Sequence, residues 1–149
     1  MASISLDDPA VQSYLFYSSV LALKLFGMVY LTARQRYTKK VFANPEDAVM
    51  WGKVKLDDPD VERVRRAHLN DLENIPVFWI LGALYLTTGP SAALATNLFR
   101  AVAAGRILHT FVYAVKPLPQ PARGIAFAVP FFISIFMGVK VVLYYLSAL

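Results

Sequence analysis

Residues 61–74 read V-E-R-V-R-R-A-H-L-N-D-L-E-N and run straight into an apolar stretch, I-P-V-F-W-I-L-G-A-L-Y-L-T-T, at residues 75–88. The apolar part has fourteen residues. A helix crossing a hydrocarbon core of about 30 Å needs roughly 20. A spanning helix here must therefore take its first turns from the charged block. That places arginines, a histidine, an asparagine and a glutamate at or below the membrane surface. Such groups are costly beside lipid and are expected to face the protein interior or a polar cavity. The block reads as a binding site for something charged.

Outward from this block, three further apolar segments stand at residues 11–33, 94–115 and 125–146. The second span then covers 68–88. Each is read as a helix, because lone strands leave backbone groups unsatisfied in lipid. The expected fold is all-α: an integral membrane four-helix bundle in a single domain, residues 1–149. The chain is 57% apolar with a mean hydropathy of +0.48. Its charged residues, 17% of the total, fall below the roughly 25% of soluble domains.

The segment boundaries have local causes. Asn44-Pro45-Glu46-Asp47 is a helix start, with an N-cap, a first-turn proline and acids near the positive helix end. Asp58-Pro59-Asp60 repeats the device. A helix over residues 59–88 would reach about 45 Å, and Pro76 inside it predicts a kink. Gly89-Pro90-Ser91 is a tight turn, and Pro117, Pro119 and Pro121 make a stiff connection. Asp7 and Asp8, without early basic residues, fit a retained first span rather than a secretory signal. Lysines and arginines crowd residues 34–67 and recur at Lys116 and Arg123. By the positive-inside rule these loops are cytosolic and both termini lie opposite.

Net charge is +5, yet no separate basic domain exists to bind nucleic acid. Without cysteine, no disulfide or thiolate nucleophile is possible. The two histidines lack carboxylates at metal spacing, so no metal is expected. On a helix, Arg66, Asn70 and Glu73 fall at i, i+4 and i+7 and share a face, which Arg63 continues and Arg65 flanks. On the third span Arg106, His109 and Tyr113 share another face. Arg36 ends the first span, and Arg123 follows the third.

Guanidinium groups bind carboxylates in bidentate pairs, and a glutamate takes an ammonium. The inventory suits a small zwitterion with excess negative charge, as in the tripeptide glutathione. An arginine near its thiol would favour the nucleophilic thiolate. Other readings stand beside this one. The block could be a solvated, salt-bridged helix. His68 could be a surface histidine, His109 a helix bridge, Tyr113 or Trp51 an interfacial aromatic, and Arg123 a topology signal. Lys24, in mid-span, could snorkel or pair with Asp71 or Glu73. Arg100 and Lys140 fit packing or snorkelling.

Four segments carry a resemblance: V-F-A-N-P-E-D-A (41–48), D-P-D-V-E-R-V-R-R-A-H-L-N-D-L-E-N (58–74), G-R-I-L-H-T-F-V-Y (105–113) and P-L-P-Q-P-A-R-G (117–124). They resemble the membrane-associated proteins in eicosanoid and glutathione metabolism, the MAPEG family. The resemblance implies a homotrimer of four-helix bundles, with glutathione between neighbouring subunits near the cytosolic face. Carried over by position, Arg36, Arg65, Arg66, His68, Asn70, Glu73, His109 and Tyr113 match glutathione-binding residues. Arg123 matches the arginine that holds the thiolate, and Asp47 an acidic position near it.

Leu69 stands where the family's prostaglandin-synthase branch has an arginine. Gly124 and Phe127 stand where that branch has a serine and a tyrosine. All three favour the transferase branch. Ala48 replaces the reactive cysteine of the mammalian transferase, so activation by thiol modification is not expected. The implied activity is conjugation of glutathione to hydrophobic electrophiles, with reduction of lipid hydroperoxides. An endoperoxide isomerase and a non-catalytic lipid-presenting scaffold are the alternatives. Endoplasmic reticulum and outer mitochondrial membrane are implied as locations.

Overall fold

The computed structural model describes residues 5–147. Its elements run α1 (Pro9–Lys39), β1 (Val41–Phe42), α2 (Pro45–Trp51), β2 (Lys53–Val54), α3 (Pro59–Leu86), α4 (Ala92–Thr110), a π-helical turn (Phe111–Val115) and α5 (Ala122–Leu146). Aspartates and a serine start the long helices. Asp8 Oδ1 accepts from the Ala10 amide at 2.7 Å, Asp58 Oδ1 from the Asp60 amide at 3.1 Å, and Ser91 Oγ from the Leu94 amide at 3.4 Å. Each satisfies an amide that the first helical turn leaves unpaired. Asn44 differs from its expected role. Its side chain caps nothing and donates instead to Asp47 Oδ2 at 3.2 Å.

α1 packs on α3 and α4, and α5 packs on the same two helices. The core between them holds Leu21, Ile75, Phe78, Phe99, Val102 and Met137. Two glycines let the helices close up. A Cβ on Gly105 would lie 2.8 Å from the Pro130 ring, and one on Gly82 would lie 2.9 Å from the Tyr14 ring. Tyr14 uses that space to pack edge-on against Phe99 and to donate to the Trp79 carbonyl at 2.7 Å. α3 stays helical through Pro76.

The outward faces are apolar. Phe26 is 73% exposed, Leu23 69% and Phe132 63%, the reverse of a water-soluble helix. α1, α4 with its π-helical extension, and α5 are long and apolar enough to cross a membrane. α3 does not qualify by composition, because its N-terminal half is the charged block. α1 and α5 exceed the expected spans, α3 begins earlier at Pro59 but ends at Leu86, and α4 reaches residue 115 only through its π-helical extension. Periodicity did not reveal β1 and β2, a two-residue parallel pair. The Lys53 amide donates to the Lys40 carbonyl at 3.0 Å and the Lys55 amide to the Phe42 carbonyl at 2.9 Å. The pair clips the α1–α3 connection into a small cap. Lys39 reinforces it with an ion pair to Asp60 at 2.5 Å.

Candidate functional site

The charged half of α3 meets the C-terminal end of α4 and the N-terminal end of α5. Arg66, Asn70 and Glu73 from α3, His109 from α4, Tyr113 from the π-helical turn and Arg123 from α5 line one open cleft of about 480 Å³. That volume lies within the roughly 300–1,000 Å³ typical of small-molecule sites. Leu69, Gln120, Gly124 and Phe127 complete the wall. The expected stripe of α3 and the expected stripe of α4 thus face a common space.

The π-helical turn bonds the Lys116 amide to the Phe111 carbonyl at 2.8 Å, a wider ring than the α-helix uses and one frequent at functional sites. Val112 and Ala114 are buried, and Tyr113 between them forms the cleft wall. The Tyr113 ring lies 5.3 Å from the His109 ring, and the Arg123 guanidinium carbon stands 5.2 Å from the Tyr113 ring centre. A cation over an aromatic face is attracted without being neutralised. Arg123 Nε and His109 Nδ1 are buried and have no protein partner. Gln120, which the sequence reading did not single out, accepts from the Gly124 amide at 3.0 Å and so fixes the start of α5 beside Arg123. Its signal lay inside the 117–124 motif.

Arg36, Arg65 and His68 lie elsewhere. With Val29, Thr32, Ala33 and Leu72 they line a second cleft of about 420 Å³ between α1 and α3. Leu69 forms part of both walls. Within one chain, then, the eight expected binding residues divide into two groups on either side of Leu69. Asp47 joins neither. It sits exposed on α2 and lines neither cleft.

Ion pairing separates the charges further. Arg63 pairs with Asp60 at 2.7 Å and Arg65 with Glu62 at 2.6 Å. Among the described residues, Arg36, Arg66, Arg123 and Glu73 have no charged partner. Arg36 Nη1 is also buried and unpaired. Orphaned guanidinium donors in a cleft are suited to an anionic ligand, because burial without a partner costs energy that a carboxylate recovers. The donor set fits a small peptide with two carboxylates and one ammonium. No group of three or more metal-ligating side chains occurs among the described residues.

Behind the first cleft, Lys24 of α1 and Arg106 of α4 both bond to the fully buried Asp71 of α3. The open choice for Lys24 thus resolves to Asp71. Arg106, expected beside His109 on the site-facing stripe, is 2% exposed and lies behind the wall.

Known proteins resemble the chain along most of its length. The chain is 43% identical over 142 residues to "Microsomal glutathione S-transferase 1" of Mus musculus, covering 91% of this chain and 90% of the relative. The Homo sapiens protein of that name is 42% identical over the same shares. "Prostaglandin E synthase" of Homo sapiens is 39% identical over 127 residues, covering 84% of this chain and 83% of the relative. A profile described as "MAPEG family" matches residues 14–143. That match covers most of each of the four long helices and both clefts, and with three apolar helices of membrane-crossing length it identifies a membrane protein: the chain belongs to the MAPEG family.

Proposed function

We propose that this chain is a membrane-bound glutathione transferase that conjugates the glutathione thiolate to hydrophobic electrophiles and reduces lipid hydroperoxides. The observation that carries the reading is the convergence of Arg66, Asn70, Glu73, His109, Tyr113 and Arg123 on one cleft, with its arginines unpaired. The relatives named microsomal glutathione S-transferase support it.

The chemistry follows from the donors. Guanidinium groups hold the tripeptide's carboxylates, and Glu73 takes its ammonium. Arg123, free of any carboxylate, stands next to the thiol. A nearby cation lowers a thiol pKa from about 8.5 and raises the thiolate fraction at neutral pH. With an aromatic halide, sulfur bonds to the ring carbon and halide leaves with the electron pair. With a lipid hydroperoxide, sulfur attacks the outer oxygen, the O–O bond breaks and the lipid leaves as an alcohol. A second glutathione then displaces water from the oxidised sulfur and forms glutathione disulfide. The apolar outer faces of the helices would admit such lipid-borne substrates from the bilayer.

The assembly we assign is a homotrimer of four-helix bundles in the endoplasmic reticulum or outer mitochondrial membrane, with its site toward the cytosol. The division of the binding residues between two clefts supports it. Arg36, Arg65 and His68 of one subunit would complete the ligand shell of the next, and Asp47, which lines neither cleft, is assigned a place near Arg123 across such a boundary. We read residues 1–149 as a single domain, with the loop 34–67 at the cytosolic surface by the positive-inside rule.

Detergent-purified protein, assayed with glutathione and an aromatic halide, tests the activity. Arg123→Ala should cut kcat about 100-fold, leave the glutathione KM nearly unchanged, and move the pH–rate profile toward alkali. Wild-type turnover in that variant would remove Arg123 from the chemistry. Absence of product from the native chain would favour a lipid-presenting scaffold. A glutathione-dependent prostaglandin endoperoxide isomerase is the second reading, favoured by the relatives named prostaglandin E synthase. Leu69, Gly124 and Phe127 in the cleft wall count against it. Product analysis with an endoperoxide substrate separates the two.

A further inference from the structure

Arg106 lies behind the cleft and does not line it, yet it is bonded to a residue that does. Its Nε donates to Asp71 Oδ1 at 3.1 Å, and its Nη2 bonds to the same oxygen and to Asn70 Oδ1, the latter at 2.8 Å. Asp71 Oδ2 takes Lys24 Nζ from the other side. One fully buried carboxylate thus ties α1, α3 and α4 together. The cluster contains two cations and one anion, and Arg106 Nη1 is buried with no partner. A buried ionisable group in a membrane bundle is by default a pointer to function.

The bond to Asn70 settles which way that amide points. A guanidinium has donors only. The atom of Asn70 that faces it must therefore be the carbonyl oxygen, and the amide nitrogen is turned away from Arg106. Asn70 is partly exposed and forms part of the cleft wall. Its nitrogen makes no bond among the described residues, whereas Asn74 spends its own side-chain nitrogen on the Asn70 backbone carbonyl at 2.7 Å.

We propose that Arg106 is a positioning residue: it locks the Asn70 amide with its NH₂ group toward the cleft as a donor to a ligand carboxylate. The Lys24–Asp71–Arg106 cluster adds one unit of positive charge behind that donor. Asn70 is then a selective anion contact rather than an amide free to present either end. The inference rests on the glutathione reading and specifies which atom of Asn70 meets the tripeptide.

The test is a double-mutant cycle on the detergent-solubilised full chain, with glutathione affinity read by isothermal titration and by KM. Arg106→Leu would strand Asp71 with a single cation and risks misfolding. Arg106→Lys retains the charge and the Asp71 pair but lacks the fork that reaches Asn70. Arg106→Lys should weaken glutathione binding about tenfold, the worth of one hydrogen bond to a charged group. The KM of the electrophile and the thermal midpoint should stay near wild type. Asn70→Ala should weaken binding by a similar factor, and the double variant no further. Asn70→Asp, which offers the ligand an oxygen in place of NH₂, should be worse than Asn70→Ala. Multiplicative losses in the double variant, or an Asn70→Asp protein that binds as well as wild type, would overturn the proposal. Failure of the wild-type chain to bind glutathione at all would instead bring down the glutathione reading, and this proposal with it.

Discussion

Lys39 and Asp60 show how a surface pair can set a pH limit. Lys39 is the last residue of α1 and Asp60 lies in the first turn of α3, both beyond the apolar stretches of those helices. Lys39 holds the Asp60 carboxyl below its ordinary 3.8, with Arg63 adding to the effect, and Asp60 in turn raises Lys39 above its ordinary 10.5. A depressed carboxyl contributes stability above its unfolded pKa and loses it as pH falls through the folded value. A raised amine contributes below its unfolded pKa and loses it as pH rises through the folded value. The pair is therefore intact across the neutral range, and the cap loosens only in acid below about 3.8 or in strong alkali above about 10.5. Trp51 sits 6.2 Å from Tyr37 in that cap and serves as a reporter. In a Trp79→Phe background, its fluorescence should show an acid transition below the ordinary carboxylate range, and Asp60→Asn should abolish that transition. At this scale the sequence spoke clearly about charge type and helical spacing, which placed Arg66, Asn70 and Glu73 opposite His109 and Tyr113. It could not tell which arginines are already neutralised. Arg65 is bonded to Glu62 and Arg123 to no carboxylate, a difference of side-chain rotamer that spacing does not encode.

Among the helices, the closest approach is the most informative. Pro130 of α5 is buried against α4 where Gly105 offers no side chain. Gly105→Ala would put a methyl group 2.8 Å from the ring carbon, too close without a shift of one helix. We expect a loss of about 1–3 kcal/mol from overpacking, seen as a lower thermal midpoint in detergent. The variant should also lose conjugating activity, because α4 and α5 carry opposite walls of the cleft. A wild-type midpoint would mean that the helices part at no cost. The start of α3 was legible, since Asp58-Pro59 announces it chemically, whereas the caps Asp8 and Ser91 were not singled out. The long apolar runs were legible too. The β1–β2 pair and the π-helical turn were not. Two-residue strands have no period to detect, and a π turn differs from an α turn by one residue, which local composition does not distinguish. Pro76 predicts a kink, and α3 stays helical through it, as α5 does through Pro130.

For the whole molecule, the division of the ligand-facing residues between two clefts makes a quantitative prediction. Chains with Arg36→Ala and His68→Ala lack one half of the proposed shell, and chains with Arg66→Ala and Glu73→Ala lack the other. Each set alone should be nearly inactive. Co-expressed in equal amounts and randomly mixed, about a quarter of subunit boundaries would join two intact halves. Activity should return to about that fraction of wild type. No recovery in co-purified mixed oligomers would confine the site to a single chain. The sequence indicated the list of residues but not their partition, because one helix face says nothing about which neighbour covers it.

The carboxylate of Asp71 has a consequence for biogenesis. Lys24 precedes it by 47 residues in the chain, and Arg106 follows it by 35. Each of these charges alone would oppose insertion of its helix by about 2.5–3.5 kcal/mol at mid-membrane. α1 leaves the ribosome long before its counter-ion is made, and α3 before its second one. The first helix is therefore expected to linger at the translocon or at the bilayer surface until α3 brings Asp71, and α4 then adds Arg106 to a pair that is already neutral. A contact built for the mature protein thus also schedules its synthesis, so that the helices enter the lipid as a cohort rather than one at a time.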